Sequence, residues 1–172
     1  MTDEMVDVVN EKDEIIGREW RNICHKKGLR HRTAGVLIFN DKDEILLQKR
    51  AEIIKTEPKK YDISAGGHVC LGMTPLQGVI TELRNELGIS CKLNPLIDKG
   101  IKQNNNMDNK KIRHILYVFK GKHNGPFKLQ ESELSNVKFF KIDKVKDMVS
   151  KYPSKFADAF KLAFVEYLKN ES

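Results

Sequence analysis

Residues 67–89, GHVCLGMTPLQGVITELRNELGI, constrain this chain more than any other stretch. Thr74 is a good N-cap, and Pro75 suits the first helical position, where a missing N–H costs nothing. Leu76, Val79, Ile80, Leu83 and Leu87 then recur at steps of three and four, and Gly88 stands where a helix closes. The spacing predicts a helix over 75–87 with one apolar stripe. Glu82 and Glu86 are four apart and share a face, expected to lie away from that stripe, with Asn85 beside them. Upstream, Ser64-Ala65-Gly66-Gly67-His68 reads as a strand end running into a glycine turn. Its glycines tolerate positive φ and let the backbone approach a ligand. Two carboxylates one turn apart suit a hard cation such as Mg²⁺, which takes oxygen ligands and keeps waters for substrate phosphates. A plain amphipathic helix with a solvated acidic edge has the same local pattern.

The flanking sequence predicts strands around that helix: a hairpin of 5–9 and 15–18, a second of 32–40 and 44–49, and strands at 61–65, 92–102, 111–122 and 137–141. Short helices are expected at 19–27, stopped by Gly28, and at 143–149. A last helix over 155–170 carries Phe156, Ala159, Phe160, Ala163, Phe164, Tyr167 and Leu168 as an apolar stripe. The polar tract 102–111, KQNNNMDNKK, reads as a hairpin tip or mobile loop. Strands with helices interposed argue a mixed sheet covered by helices. With 172 residues, one domain over 1–172 is expected, its N-terminal hairpin and short helix (1–30) preceding a core at 31–172.

Composition narrows the partners. No apolar run approaches the roughly 20 residues of a membrane span, and the acidic N-terminus lacks the build of a signal peptide. A cytoplasmic protein without a membrane partner is expected. Cys24, Cys70 and Cys91 form no CxxC pair and read as reduced thiols. The net charge of +7 attracts polyanions. Basic residues are spread along the chain and rarely interleave with aromatics, so a phosphorylated small molecule fits better than nucleic acid. Trp20, the sole tryptophan, is expected to anchor the N-terminal helix to the sheet.

Laid from Gly67, the segment resembles the Nudix box, G-x5-E-x7-R-E-U-x-E-E-x-G-U with U aliphatic. It keeps Gly67, Glu82, Leu83, Glu86, Gly88 and Ile89, and departs at Met73, Thr81 and Asn85. VDVVNEKDEIIGREW, HKKGLRHRTAGVLIFN, EILLQKR, YDISAGGHV and HNGPFKLQESEL extend the likeness to the Nudix subgroup related to isopentenyl-diphosphate isomerase, over residues 5–168. The resemblance implies an α/β (α+β) fold, a mixed β-sheet sandwiched between α-helices. It also implies hydrolysis, dependent on Mg²⁺ (or Mn²⁺), of a diphosphate linkage in a nucleoside diphosphate joined to another moiety.

Carried over residue by residue, the resemblance makes the Gly66 carbonyl, Glu82, Asn85 and Glu86 metal ligands. Glu82 doubles as base, and Glu133 of QESEL is a further acid, with Glu131 the alternative. Lys49, Arg50 and His68 would bind substrate. Met73 and Thr81 replace a Glu and an Arg that interact in the family, so their joint loss leaves no orphan charge. Asn85 removes a charge from the metal trio. A catalytically weak Nudix-fold binding or sensor module for a nucleotide or phosphorylated ligand is therefore the competing expectation. The isomerases carry their catalytic cysteine in a segment resembling SVCGH; Gly66 occupies that position here, which argues against isomerase activity. Their cage of His and Glu ligands is matched by His31 and His68, a second candidate metal site. His25 lies near a third ligand in sequence, and His114 stands where a glutamate is expected.

Overall fold

The computed structural model describes residues 3–107 and 110–171. The chain begins with β1 (Met5–Val9), β2 (Ile15–Trp20) and α1 (Arg21–Lys27), then β3 (His31–Phe39) and β4 (Ile45–Arg50). β5 (Tyr61–Asp62), β6 (Ala65–His68) and α2 (Pro75–Leu87) follow. After β7 (Leu93–Pro95), β8 (Ile101–Met107), β9 (Lys110–Lys122) and β10 (Leu134–Phe140) come α3 (Ile142–Lys151), a 3₁₀ turn and α4 (Asp158–Asn170).

Period-two alternation gives the sheet two apolar faces. Along β3, Ala34, Val36 and Ile38 join Val79, Leu83 and Leu87 of α2. Leu37 and Phe39 point the other way, to Val145 of α3 and Phe160 and Phe164 of α4. β3 is the hub: β9 runs parallel to it from His31↔His114 to Phe39↔Lys122, and β6 antiparallel from Thr33↔His68 to Val36↔Ala65. β10, β4, β3, β1 and β2 lie side by side, and β7 and β8 hang on β9. The result is the expected α+β architecture, a mixed sheet between helices. The N-terminal elements add a small core of Val6, Val8 and Cys24 with Leu29.

Several local expectations change. The tract 102–111 is not a loop through most of its length: β8 pairs with β9 from Ile101↔Leu116 to Met107↔Lys110. Asp108 and Asn109, at the expected tip, lie outside the described residues. Its polar side chains find partners; Asn105 Nδ2, for instance, donates to Asp158 Oδ2 at 2.7 Å. The strand expected at 61–65 splits into β5 and β6 around Ser64, whose Oγ accepts from Ile38 N and donates to Leu46 O. The strand expected at 92–102 likewise breaks into β7 and the start of β8. Trp20 is 47 % exposed, so it is not a buried anchor.

Candidate functional site

Helix α2 starts as its residues dictate. Thr74 Oγ1 accepts from Gln77 N at 3.2 Å, and Gln77 Oε1 accepts from Thr74 N at 2.9 Å, a closed capping box. Thr81 Oγ1 turns back onto Gln77 O at 3.0 Å, and Met73 packs against the core under α2, so neither departure strands a charge. The stripe, however, is not the one expected. Leu76 is 41 % exposed, whereas Glu86 is only 6 % exposed and shares the buried face with Val79, Leu83 and Leu87. Steps of about 100° per residue put Glu82 and Glu86 on the margin of the sheet-facing side, not opposite it. Asn85 is exposed.

The glycines beside them are there for space. Gly66 and Gly67 belong to β6 and do not have positive φ; the left-handed glycines are Gly28, Gly72, Gly88 and Gly125. A methyl group on Gly67 would lie 2.6 Å from Glu82 Oε1. One on Gly66 would lie 2.7 Å from the Ala34 carbonyl oxygen and 2.9 Å from Gly35 Cα. Gly66 N also donates to Glu86 Oε2 at 3.3 Å, and Gln48 Nε2 donates to the same oxygen at 3.3 Å. The structure thus brings Gly66 to Glu86 through its amide.

The segment after β9 closes the far side. Lys128 N and Gln130 N donate to the last-turn carbonyls of α2, Leu87 O at 2.9 Å and Glu86 O at 3.0 Å. That docking holds half-buried Glu133 near the helix, while Glu131 is exposed. Burial foremost, then the charges of Glu4 and Glu133, push the Glu82 carboxyl up to about 7. Burial and Glu82 raise Glu86 well above the usual range, and burial raises Glu133. Three carboxyl groups raised foremost by burial, with the repulsion of Glu82 added at Glu86 and that of Glu133 added at Glu82, form a donor set that fits a hard divalent cation.

The expected substrate residues divide. Arg50 is engaged: its Nη1 donates to Asp62 Oδ2 at 2.9 Å, and its Nε and Nη2 bind Thr56 O at 3.1 and 2.8 Å. Lys49 lies over the Tyr61 ring, 5.6 Å from its centroid, and strand alternation sends it to the face opposite Gln48. It is not brought to the carboxylates. Arg21, which sequence reasoning passed over, pairs with Glu4 at 3.4 Å, and its charge lowers the proton affinity of both Glu82 and Glu133. Gln48 was legible only as one amide in the otherwise apolar run ILLQ.

His31 and His68 do converge, and two more rings join them. His25 from α1, His31 from β3, His68 from β6 and His114 from β9 bring their ligating nitrogens within 4.8 Å of one another. His25 Nε2 lies 3.2 Å from His114 Nε2 and 3.3 Å from His68 Nε2. The register explains the grouping, since His31 is paired with His114 and Thr33 with His68. On β6, Gly67 faces Glu82 of α2, so the next residue, His68, projects to the opposite face. His31 Nδ1 faces Leu29 O at 2.9 Å; only an N–H can donate there, so the neutral ring keeps its lone pair on Nε2. That Nε2 is buried with no hydrogen-bond partner. Burial foremost pushes His25 down to about 4 and lowers His31, His68 and His114 as well. Four neutral imidazoles fit Zn²⁺ or a similar transition metal far better than Mg²⁺.

Known proteins share this fold. The NUDIX domain profile matches residues 29–160. An uncharacterised Nudix hydrolase of Clostridium acetobutylicum is 31 % identical, over 93 % of this chain and 81 % of its own. The isopentenyl-diphosphate Delta-isomerase of Pectobacterium atrosepticum is 29 % identical, over 91 % of this chain and 87 % of its own. The crystal structure of DR0079 from Deinococcus radiodurans superposes with a TM-score of 0.77 at 18 % identity, covering 95 % of this chain and 99 % of that one, a likeness of fold.

Proposed function

This chain belongs to the NUDIX domain family, and on that footing we propose that it hydrolyses a diphosphate linkage in a nucleoside diphosphate joined to another moiety, with Mg²⁺ or Mn²⁺. The observation that carries the reading is the gathering of Glu82, Glu86 and Glu133, each raised in proton affinity, around one end of α2. Glu86 and Glu82, with Asn85 and the Gly66 carbonyl, would hold the cation. When bound, a divalent cation would supply charge neutralisation for the diphosphate and a lowered pKa for water. Glu82 would take the proton of the attacking water at its carboxylate, and Glu133 would be the further acid. Arg50 acts through Asp62 and the loop it ties down.

The test is a phosphate-release screen over nucleoside triphosphates, dinucleotide polyphosphates, nucleotide sugars and prenyl diphosphates with both cations. At least one class turns over, and Glu82→Gln slows it by about 100-fold or more. No turnover of any class, together with no effect of Glu82→Gln on cation affinity, overturns the reading. Asn85 favours a second reading, a weakly catalytic sensor of a phosphorylated ligand; it predicts ligand-induced thermal shifts without turnover. Asn85→Glu then tightens Mg²⁺ binding in a calorimetric titration.

We propose further that His25, His31, His68 and His114 hold a second, transition-metal ion, supported by the partnerless Nε2 of His31. One Co²⁺ per chain should bind with a tetrahedral absorption spectrum and be lost in His31→Ala; an unchanged spectrum in that variant removes the site. Isomerisation is not proposed, because Gly66 at the isomerase cysteine position offers no thiol, and a Cβ there would lie 2.7 Å from the Ala34 carbonyl oxygen. Free Cys24, Cys70 and Cys91 suit a reducing cytoplasm.

A further inference from the structure

Gln48 is 3 % exposed on β4, two residues from Leu46, which packs under α2. A buried amide in an apolar row is costly unless its polar atoms are used. The strand holds it rigidly: β10 pairs at Val137↔Gln48 on one side and β5 at Gln48↔Asp62 on the other. Its Nε2 donates to Glu86 Oε2, and Gly66 N donates to that same oxygen, each at 3.3 Å. Among the described residues no donor reaches Glu86 Oε1. The carboxylate is therefore gripped by one oxygen and leaves the other open.

We propose that Gln48 is the positioning residue of the cation site. By holding Oε2 together with the Gly66 amide, it turns Oε1 of Glu86 toward the cation and fixes the rotamer before the cation arrives. The chemistry requires this type of side chain. Lys or Arg in that place would neutralise Glu86 and compete with the cation, and Glu would repel it. A neutral two-donor amide orients the carboxylate without cancelling its charge.

This inference rests on the carboxylate cation site of the proposed hydrolase. The test is calorimetric titration of the full-length chain with Mn²⁺, comparing wild type with Gln48→Met, which conserves volume but donates nothing. Affinity should fall about tenfold, the worth of one hydrogen bond to a charged group. Gln48→Leu should do the same and serves if the Met variant does not fold. Leu46→Val, on the same face of β4, should lower Tm yet leave affinity within twofold, as a merely structural role would. If Gln48→Met and Gln48→Leu bind Mn²⁺ within twofold of wild type while Glu86→Ala abolishes binding, the positioning role is wrong and the cation site stands. If Glu86→Ala also binds normally, the site reading itself fails.

Discussion

Glu82→Gln should make the cation-free protein more stable, and increasingly so as pH rises. The Glu82 carboxyl moves from 4.5 to about 7 on folding, chiefly through burial, then through Glu4 and Glu133. A group whose folded value is raised favours the folded state fully below its unfolded value, and that advantage disappears as pH climbs through the folded one. The difference of about 2.5, at about 1.36 kcal/mol each, costs the folded wild type about 3 kcal/mol at pH 8. Partial exposure of the side chain reduces this to about 2 kcal/mol. At pH 5 the same cost is under about 1 kcal/mol. For a chain of this size about 2 kcal/mol is roughly 5 °C in Tm. Differential scanning calorimetry in EDTA at pH 5 and pH 8 measures it directly. The variant's advantage grows between the two pH values, and millimolar Mg²⁺ erases it by stabilising wild type alone. An equal Tm difference at both pH values, or a variant less stable at pH 8, refutes the claim that Glu82 is held destabilised for function.

The neighbouring glycines should separate space for a side chain from space for backbone. Gly67→Ala meets only the movable end of Glu82, at 2.6 Å, so it should fold with a Tm within a few degrees but lose most cation affinity. Gly66→Ala meets the Ala34 carbonyl oxygen at 2.7 Å and should lose about 2 kcal/mol or more, read from urea midpoints. Arg50→Ala leaves Asp62, only 4 % exposed, without its partner, and should cost about 3 kcal/mol by the same measurement. The histidines carry the opposite sign to Glu82. His25 is pushed down to about 4, so its contribution is present above 6.5 and lost as pH falls toward 4. Cation-free urea midpoints should therefore drop across that window, and His25→Gln should flatten the drop.

The ends of the helix over 75–87 were legible because everything that starts and stops it lies within a few residues: Thr74 and Gln77 for the cap, Pro75 for the first turn, Gly88 for the end. Hairpin strands and the Phe160–Phe164 stripe were legible for the same reason, since alternation and steps of three and four are local signals, but the helix expected from 155 begins only at Asp158, and Phe156 precedes it in extended backbone bridged to Tyr61. The nearness of Glu82 to Glu86 follows from the chain alone. That Glu86 is buried does not, because burial depends on β6 and β4 arriving beside α2. The glycines were read as conformational when they are spatial, since a Cβ clash with Glu82 or Ala34 exists only after the sheet has formed.

The four-histidine cluster and the Gln48 contact mark that boundary most sharply. His25 and His114 are 89 positions apart, and along the chain only the likeness to the isomerase cage relates them. Parallel pairing of β3 with β9 sets His31 beside His114, and docking of α1 adds His25. Sequence by itself determined the family, through the residues kept along the box and its flanks, and the ends of the acidic helix, through hydrogen bonds between near neighbours. Only tertiary structure decided which polar side chains are dry and which of their atoms lack partners, because strand register and helix docking select those contacts through the packing of the whole core.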